Sequence, residues 1–109
     1  MTAPSDPEMK TGISREDIIE SFKPFDPERI ILFGSYARGE QDEWSDLDLI
    51  VVYRTEKRFL DRLKELYLAW SIPKGVDILA YTPEEFAGMV KENPFVQQVC
   101  LEGMTIYEK

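Results

Sequence analysis

Apolar residues fall along this chain in short blocks whose spacing switches between helical and extended periods. Ser14 opens the first block. Ser14-Arg-Glu-Asp17 reads as a near-capping box, and Ile18, Ile19 and Phe22 share a helical face that Pro24 and Pro27 bring to an end. Residues 29–33 (RIILF) are apolar and β-branched, a buried strand. Gly34-Ser35 follows at once, then a polar stretch from Tyr36 to Ser45. Residues 47–53 form a second apolar strand interrupted by Asp48. From Glu56 to Trp70, the residues Phe59, Leu60, Leu63, Leu66, Leu68 and Trp70 recur mainly three or four apart, which predicts an amphipathic helix. Pro73 and Gly75 break it, and residues 76–81 give a third strand. Thr82-Pro83-Glu84-Glu85 is a helix start with a hydroxyl cap, proline in the first turn and glutamate at the third position, and its helix runs to about Lys91. After Asn93-Pro94 an apolar helical segment spans residues 95–101. Gly103 closes it, and residues 104–107 make a terminal strand.

The order helix, strand, strand, helix, strand, helix, helix, strand predicts an α/β (α+β) sandwich: a small mixed β-sheet with helices packed against it. The pairing order of the strands stays open. Residues 1–12 mix proline, serine, glycine and charge without period, a flexible lead-in to one domain over residues 13–109. At 109 residues the chain is long enough to bury one core without covalent staples.

Composition narrows the chemistry. The chain has no histidine and one cysteine, Cys100. That excludes Ser-His-Asp and Cys-His catalysis, histidine-ligated zinc and an internal disulfide. No apolar run reaches the ~20 residues of a membrane span, and the N-terminus lacks the features of a signal peptide, so a cytoplasmic protein without a membrane partner is expected. A net charge of −8, with no Lys/Arg cluster to offset it, argues against direct nucleic-acid binding. Such a protein needs metal ions to handle a polyanion such as a nucleoside triphosphate.

Three aspartates occupy strand positions that an apolar residue would fill more stably. Asp46 and Asp48 lie two apart at the start of the second strand, so both carboxylates point the same way, with Cα atoms ~6.6 Å apart. Asp77 holds the equivalent early position on the third strand. If these strands are neighbours, the three carboxylates converge on one patch. Such a cluster repels itself and is costly to desolvate, and a divalent cation resolves the conflict. All-oxygen donors select Mg²⁺ or Mn²⁺, and carboxylates shared between two ions suit phosphoryl or nucleotidyl transfer. Taken singly, each aspartate has a plainer reading: Asp46 after Ser45 as a turn former or cap, Asp77 as either. Asp48 does not, because it interrupts an apolar run. Gly34-Ser35, at the end of the first strand, permits close approach of a phosphate to backbone N–H groups and a hydroxyl; alone, the dipeptide is equally a turn.

Gly34-Ser35, ten intervening residues and Asp46-Leu47-Asp48 together resemble the G-S-x10-D-x-D signature of the DNA polymerase β-like nucleotidyltransferase superfamily. At ordinary residue frequencies such a match arises by chance on the order of once in a thousand chains this long. Residues 32–39 (LFGSYARG) and 45–49 (SDLDL) are similar to its small, single-domain prokaryotic branch, the minimal nucleotidyltransferases. The resemblance implies that fold, with two Mg²⁺ ions on Asp46 and Asp48, and Asp77 completing the site and taking the proton of the incoming hydroxyl. It also implies Gly34 and Ser35 on the β- and γ-phosphates of ATP. Arg38 would contact phosphate or pin the loop to a carboxylate; both remain open. Glu40, Asp42 and Glu43 read as a solvated acidic loop. The same resemblance implies an antitoxin that moves AMP from ATP onto a hydroxyl, a tyrosine, of a HEPN-domain toxin partner. Two alternatives stand beside it: a non-catalytic module that masks such a partner, and nucleotidyl transfer to a small molecule. Phe95, Val96, Val99 and Leu101 on the last helix would offer either an exposed docking stripe or plain core.

Overall fold

The computed structural model describes residues 13–109. The expected lead-in, residues 1–12, lies outside the described residues.

Helix α1 (Arg15–Phe22) begins with a complete capping box: the Asp17 amide donates to Ser14 Oγ and the Ser14 amide to the Asp17 carboxylate, both at 3.2 Å. It buries Ile18 and Phe22, while Ile19 is only partly covered. One 3₁₀ turn (Lys23–Phe25) ends it at Pro24, and Asp26, at φ 51°, reverses the chain into strand β1 (Arg29–Phe33). A short helix, α2 (Ser35–Arg38), leads through an acidic loop to β2 (Leu47–Val52). Helix α3 (Phe59–Ala69), strand β3 (Val76–Tyr81), helices α4 (Pro83–Glu92) and α5 (Pro94–Glu102) and strand β4 (Met104–Glu108) complete the order.

The four strands form one mixed sheet in the order β3-β2-β1-β4. β1 pairs antiparallel with β2 and β4, whereas β2 and β3 are parallel and need α3 as their crossover. This is the α/β sandwich expected, with the pairing order now fixed. On one face Ile18, Phe22, Leu66, Leu49, Val51 and Ile106 pack into a core; on the other, Ile31, Ile50 and Val52 meet Phe86, Val96 and Val99. Covering both faces explains why β2 is apolar without alternation. Burying Leu49, Ile50 and Val51 contributes about 1.5–3 kcal/mol each. Among these core positions Asp48 alone interrupts β2.

Two elements differ from the pattern. α3 starts three residues later than periodicity predicts, because Thr55 Oγ1 accepts from the Lys57 amide and holds a turn ahead of the extended Arg58 cap. Its buried stripe also differs. Arg62 and Leu66 are buried, while Leu60 and Leu68 face solvent. Arg62 is tolerated there because Glu85 holds it at 2.7 and 3.1 Å, with the Lys57 carbonyl accepting from its Nε and the Ala80 carbonyl from its Nη1. α5 divides the stripe expected of it: Val96 and Val99 are core, and Phe95 and Leu101 are exposed.

Candidate active site

Gly34 ends β1 at φ 74° and ψ −152°, a conformation open essentially to glycine alone. The reason lies across the sheet. Phe33 pairs with Asp48, and a Cβ built on Gly34 would fall on the Asp48 carboxylate, with Cγ only 3.1 Å away. The chain then turns into α2, whose first amides, from Ser35 onward, have no partner within so short a helix. Tyr36, which opens the stretch that reads as polar, is buried beneath Lys74, whose Nζ lies 5.8 Å from its ring centroid.

The parallel register places Asp48 directly opposite Asp77 and Leu47 opposite Val76. Neighbouring strands lie ~4.8 Å apart, so Asp77, Asp48 and the Gly34 turn form a row across three strands. Asp46 precedes Asp48 by two residues on the same side. Burial pushes the Asp48 carboxyl above the usual carboxylate range, and the charges of Asp77 and Asp46 and a hydrogen bond with Asp77 push it further. Arg38 opposes this weakly. Asp46 and Asp77 are exposed, and no ion pair among the described residues involves any of the three.

These residues fit a hard divalent cation by chemistry: oxygen donors only, no internal counter-ion, and like charges set on adjacent strands. As they stand, no set of three acidic, cysteine or histidine side chains among the described residues is drawn together closely enough to hold an ion. The carboxylates adjoin without forming a cage.

Arg38 pins the loop. Its Nε donates to Glu40 at 2.9 Å and its Nη1 lies 3.9 Å from Glu102 on α5. Asp42 accepts from the Trp44 amide and from Ser45 Oγ, at 2.9 and 3.1 Å, so it shapes the loop leading to Asp46. A cleft of about 260 Å³ opens beside Gly34 and Arg38, walled by Phe33, Phe95, Gln98 and Glu102. Neither this cleft nor two larger ones, against α4 and against α1, is lined by any of the three aspartates.

Gly75, and Gln98 and Glu102 on the α5 wall beside Phe95, stand in no motif of the sequence. Gly75 read as a helix breaker, yet a Cβ there would overlap the Asp46 carboxylate. The spacing of Phe95, Gln98 and Glu102 was a usable sign of one helical face.

A mixed sheet carrying a Gly-Ser turn at the end of one strand and a D-x-D pair on its neighbour defines the nucleotidyltransferase class of α/β fold. The chain belongs to the nucleotidyltransferase domain family, whose model matches residues 15–102. It is similar to several proteins provisionally named protein adenylyltransferases. One from Methanocaldococcus jannaschii is 44% identical over 54 residues, covering 49% of this chain and 58% of its own length. Another from the same organism is 31% identical over 102 residues, covering 88% and 97%. A third, MntA of Haemophilus influenzae, is 38% identical over 64 residues, covering 55% and 56%. The match thus spans little more than half of some of these relatives. Among solved structures, a toxin-antitoxin complex with AMP-PNP superposes with a TM-score of 0.63 at 26% identity, over 89% of this chain and 75% of that one. A nucleotidyltransferase-like protein from Sulfolobus solfataricus shares the fold, with a TM-score of 0.60 at 21% identity, over 87% and 77%. Among the described residues, no helix is long and apolar enough to cross a membrane.

Proposed function

We propose that this domain transfers AMP from ATP to an acceptor hydroxyl, a tyrosine of a helical HEPN-type toxin, and acts as its antitoxin. The observation that carries the chemistry is the row formed by the Gly34 turn, Asp48 and Asp77 on adjacent strands, with the Asp48 carboxyl pushed up by burial and by the charges of Asp77 and Asp46. The names of the adenylyltransferase relatives and the AMP-PNP toxin-antitoxin neighbour support the nucleotide and the kind of partner.

Asp46 and Asp48 are the residues that would hold two Mg²⁺ ions, Mn²⁺ substituting, with Asp77 completing the set. When bound, the ions supply charge neutralisation on the α-phosphate and on the leaving pyrophosphate. The protein's own contribution is placement. The Gly34 turn leaves its backbone bare to the β- and γ-phosphates, and Ser35 offers a hydroxyl and the amides of the first turn of α2. A carboxylate oxygen of Asp77 takes the proton of the attacking hydroxyl. The new bond joins the acceptor oxygen to the α-phosphorus, the bond to the β-phosphate bridge breaks, and pyrophosphate leaves. Positioning and electrostatics carry such a transfer. Arg38, tied to Glu40 and Glu102 at the rim, orders the loop and adds positive potential beside Asp48.

The test is incubation with ATP, Mg²⁺ and the product of the adjacent reading frame, followed by intact-mass analysis. AMP adducts on the partner from the parent protein, and none from Asp48→Asn, support the proposal. Neutralisation of the partner by both proteins without an adduct would establish the masking module instead.

A further inference from the structure

Gly75 lies between α3 and β3, where a chain break alone would explain a glycine. Its backbone does not require one: among the described residues, the glycines with positive φ are Gly34 and Gly39. An alanine would fit the torsions of residue 75. The space around it is another matter. A Cβ there would overlap Asp46 Oδ1 and stand 2.8 Å from its Cγ and 3.3 Å from its Oδ2.

Nor can the Gly75 segment retreat. The Gly75 carbonyl accepts the Leu47 amide at 3.0 Å, which fastens the start of β3 to the start of β2. One residue earlier, the Lys74 carbonyl accepts Trp70 Nε1 at 2.8 Å, and Lys74 Nζ reaches the Glu43 carbonyl at 3.4 Å. The Asp46 carboxylate, by contrast, belongs to an exposed residue and is tied by no ion pair among the described residues. Any atom added at residue 75 therefore moves the carboxylate and spares the backbone.

We infer that Gly75 is a positioning residue: its bare Cα reserves the volume in which the Asp46 carboxylate stands beside Asp48. The inference rests on the reading of Asp46 as a holder of the metal–nucleotide complex. It assigns Gly75 a role in the site that its torsions do not demand, and it separates stability from function at one position, since an alanine compatible with the backbone stiffens the unfolded chain.

The experiment is a double-mutant cycle on Gly75→Ala and Asp46→Ala, read by thermal unfolding and by calorimetric titration of Mn²⁺ with a non-hydrolysable ATP analogue. Gly75→Ala is expected to melt within about 4 °C of the parent and to bind Mn²⁺–nucleotide about 10–100-fold more weakly, the range for groups that orient a ligand. In the Asp46→Ala background, adding Gly75→Ala should change binding no further. If Gly75→Ala fails to fold but the double variant folds, the overlap with the carboxylate is demonstrated directly. Equal binding by parent and Gly75→Ala overturns the inference, as does a further loss in the double variant, or a double variant that does not fold. A parent protein that binds no Mn²⁺–nucleotide refutes the reading of the site itself, and the inference with it.

Discussion

Asp48 is the residue on which the site turns, because it is the one carboxylate placed between two others and partly withdrawn from water. Replacing it with asparagine removes charge without changing shape. Transfer should fall at least about 100-fold, beyond the usual cost of disturbing a merely orienting group, while the melting temperature holds or rises because the repulsion from Asp46 and Asp77 is gone. Steady-state transfer assays and thermal unfolding check the two halves. Gly34 behaves differently. Gly34→Ala must adopt a glycine-only conformation and displace the Asp48 carboxylate, so it should lose about 1–3 kcal/mol of stability as well as activity. At this scale the sequence was informative where a residue contradicted its surroundings: an aspartate within an apolar strand, a Gly-Ser pair at a strand's end. It was uninformative where the cause lay across space. Nothing near Gly75 in the chain announces Asp46, and nothing in the periodicity of α3 announces that Arg62 is buried.

Arg62 shows how elements lock together. It anchors α3 to the start of α4 through a two-pronged contact with Glu85, which also closes the capping box of α4 with Thr82. Glu85→Ala leaves a buried guanidinium short of partners and opens the cap, for a loss of about 1–3 kcal/mol in chemical denaturation, Glu85 itself being partly solvated. The pair also sets a pH dependence. The Arg62 hydrogen bond holds the Glu85 carboxyl below its ordinary value of 4.5. Its stabilising contribution is therefore complete above that value and is lost as pH falls through the depressed one. Between pH 6 and 3 the melting temperature of Glu85→Gln should fall less steeply than that of the parent. Element order, helix caps and strand positions were legible beforehand, since proline, threonine and apolar runs act locally. The strand order was not, because hydrogen-bond pairing between β1, β2 and β4 is a long-range choice.

For the whole molecule, a charge of −8 gathered partly at the site makes the proposed function testable through stability, since a polyanionic nucleotide would bind there together with cations. Mg²⁺–ATP at about 100 times its Kd adds about 2.7 kcal/mol to stability, a rise of about 10 °C in melting temperature, whereas ATP with a chelator should add little. Asp46→Asn with Asp48→Asn should abolish the shift. The central claim, that the chain moves a nucleotidyl group, is tested most directly by asking which phosphate of ATP travels. With the partner from the adjacent reading frame as acceptor and Mg²⁺ present, label on the α-phosphate should become covalently attached to protein and label on the γ-phosphate should appear only in released pyrophosphate. Transfer of the γ-label, or neutralisation of the partner with neither label attached, would contradict it.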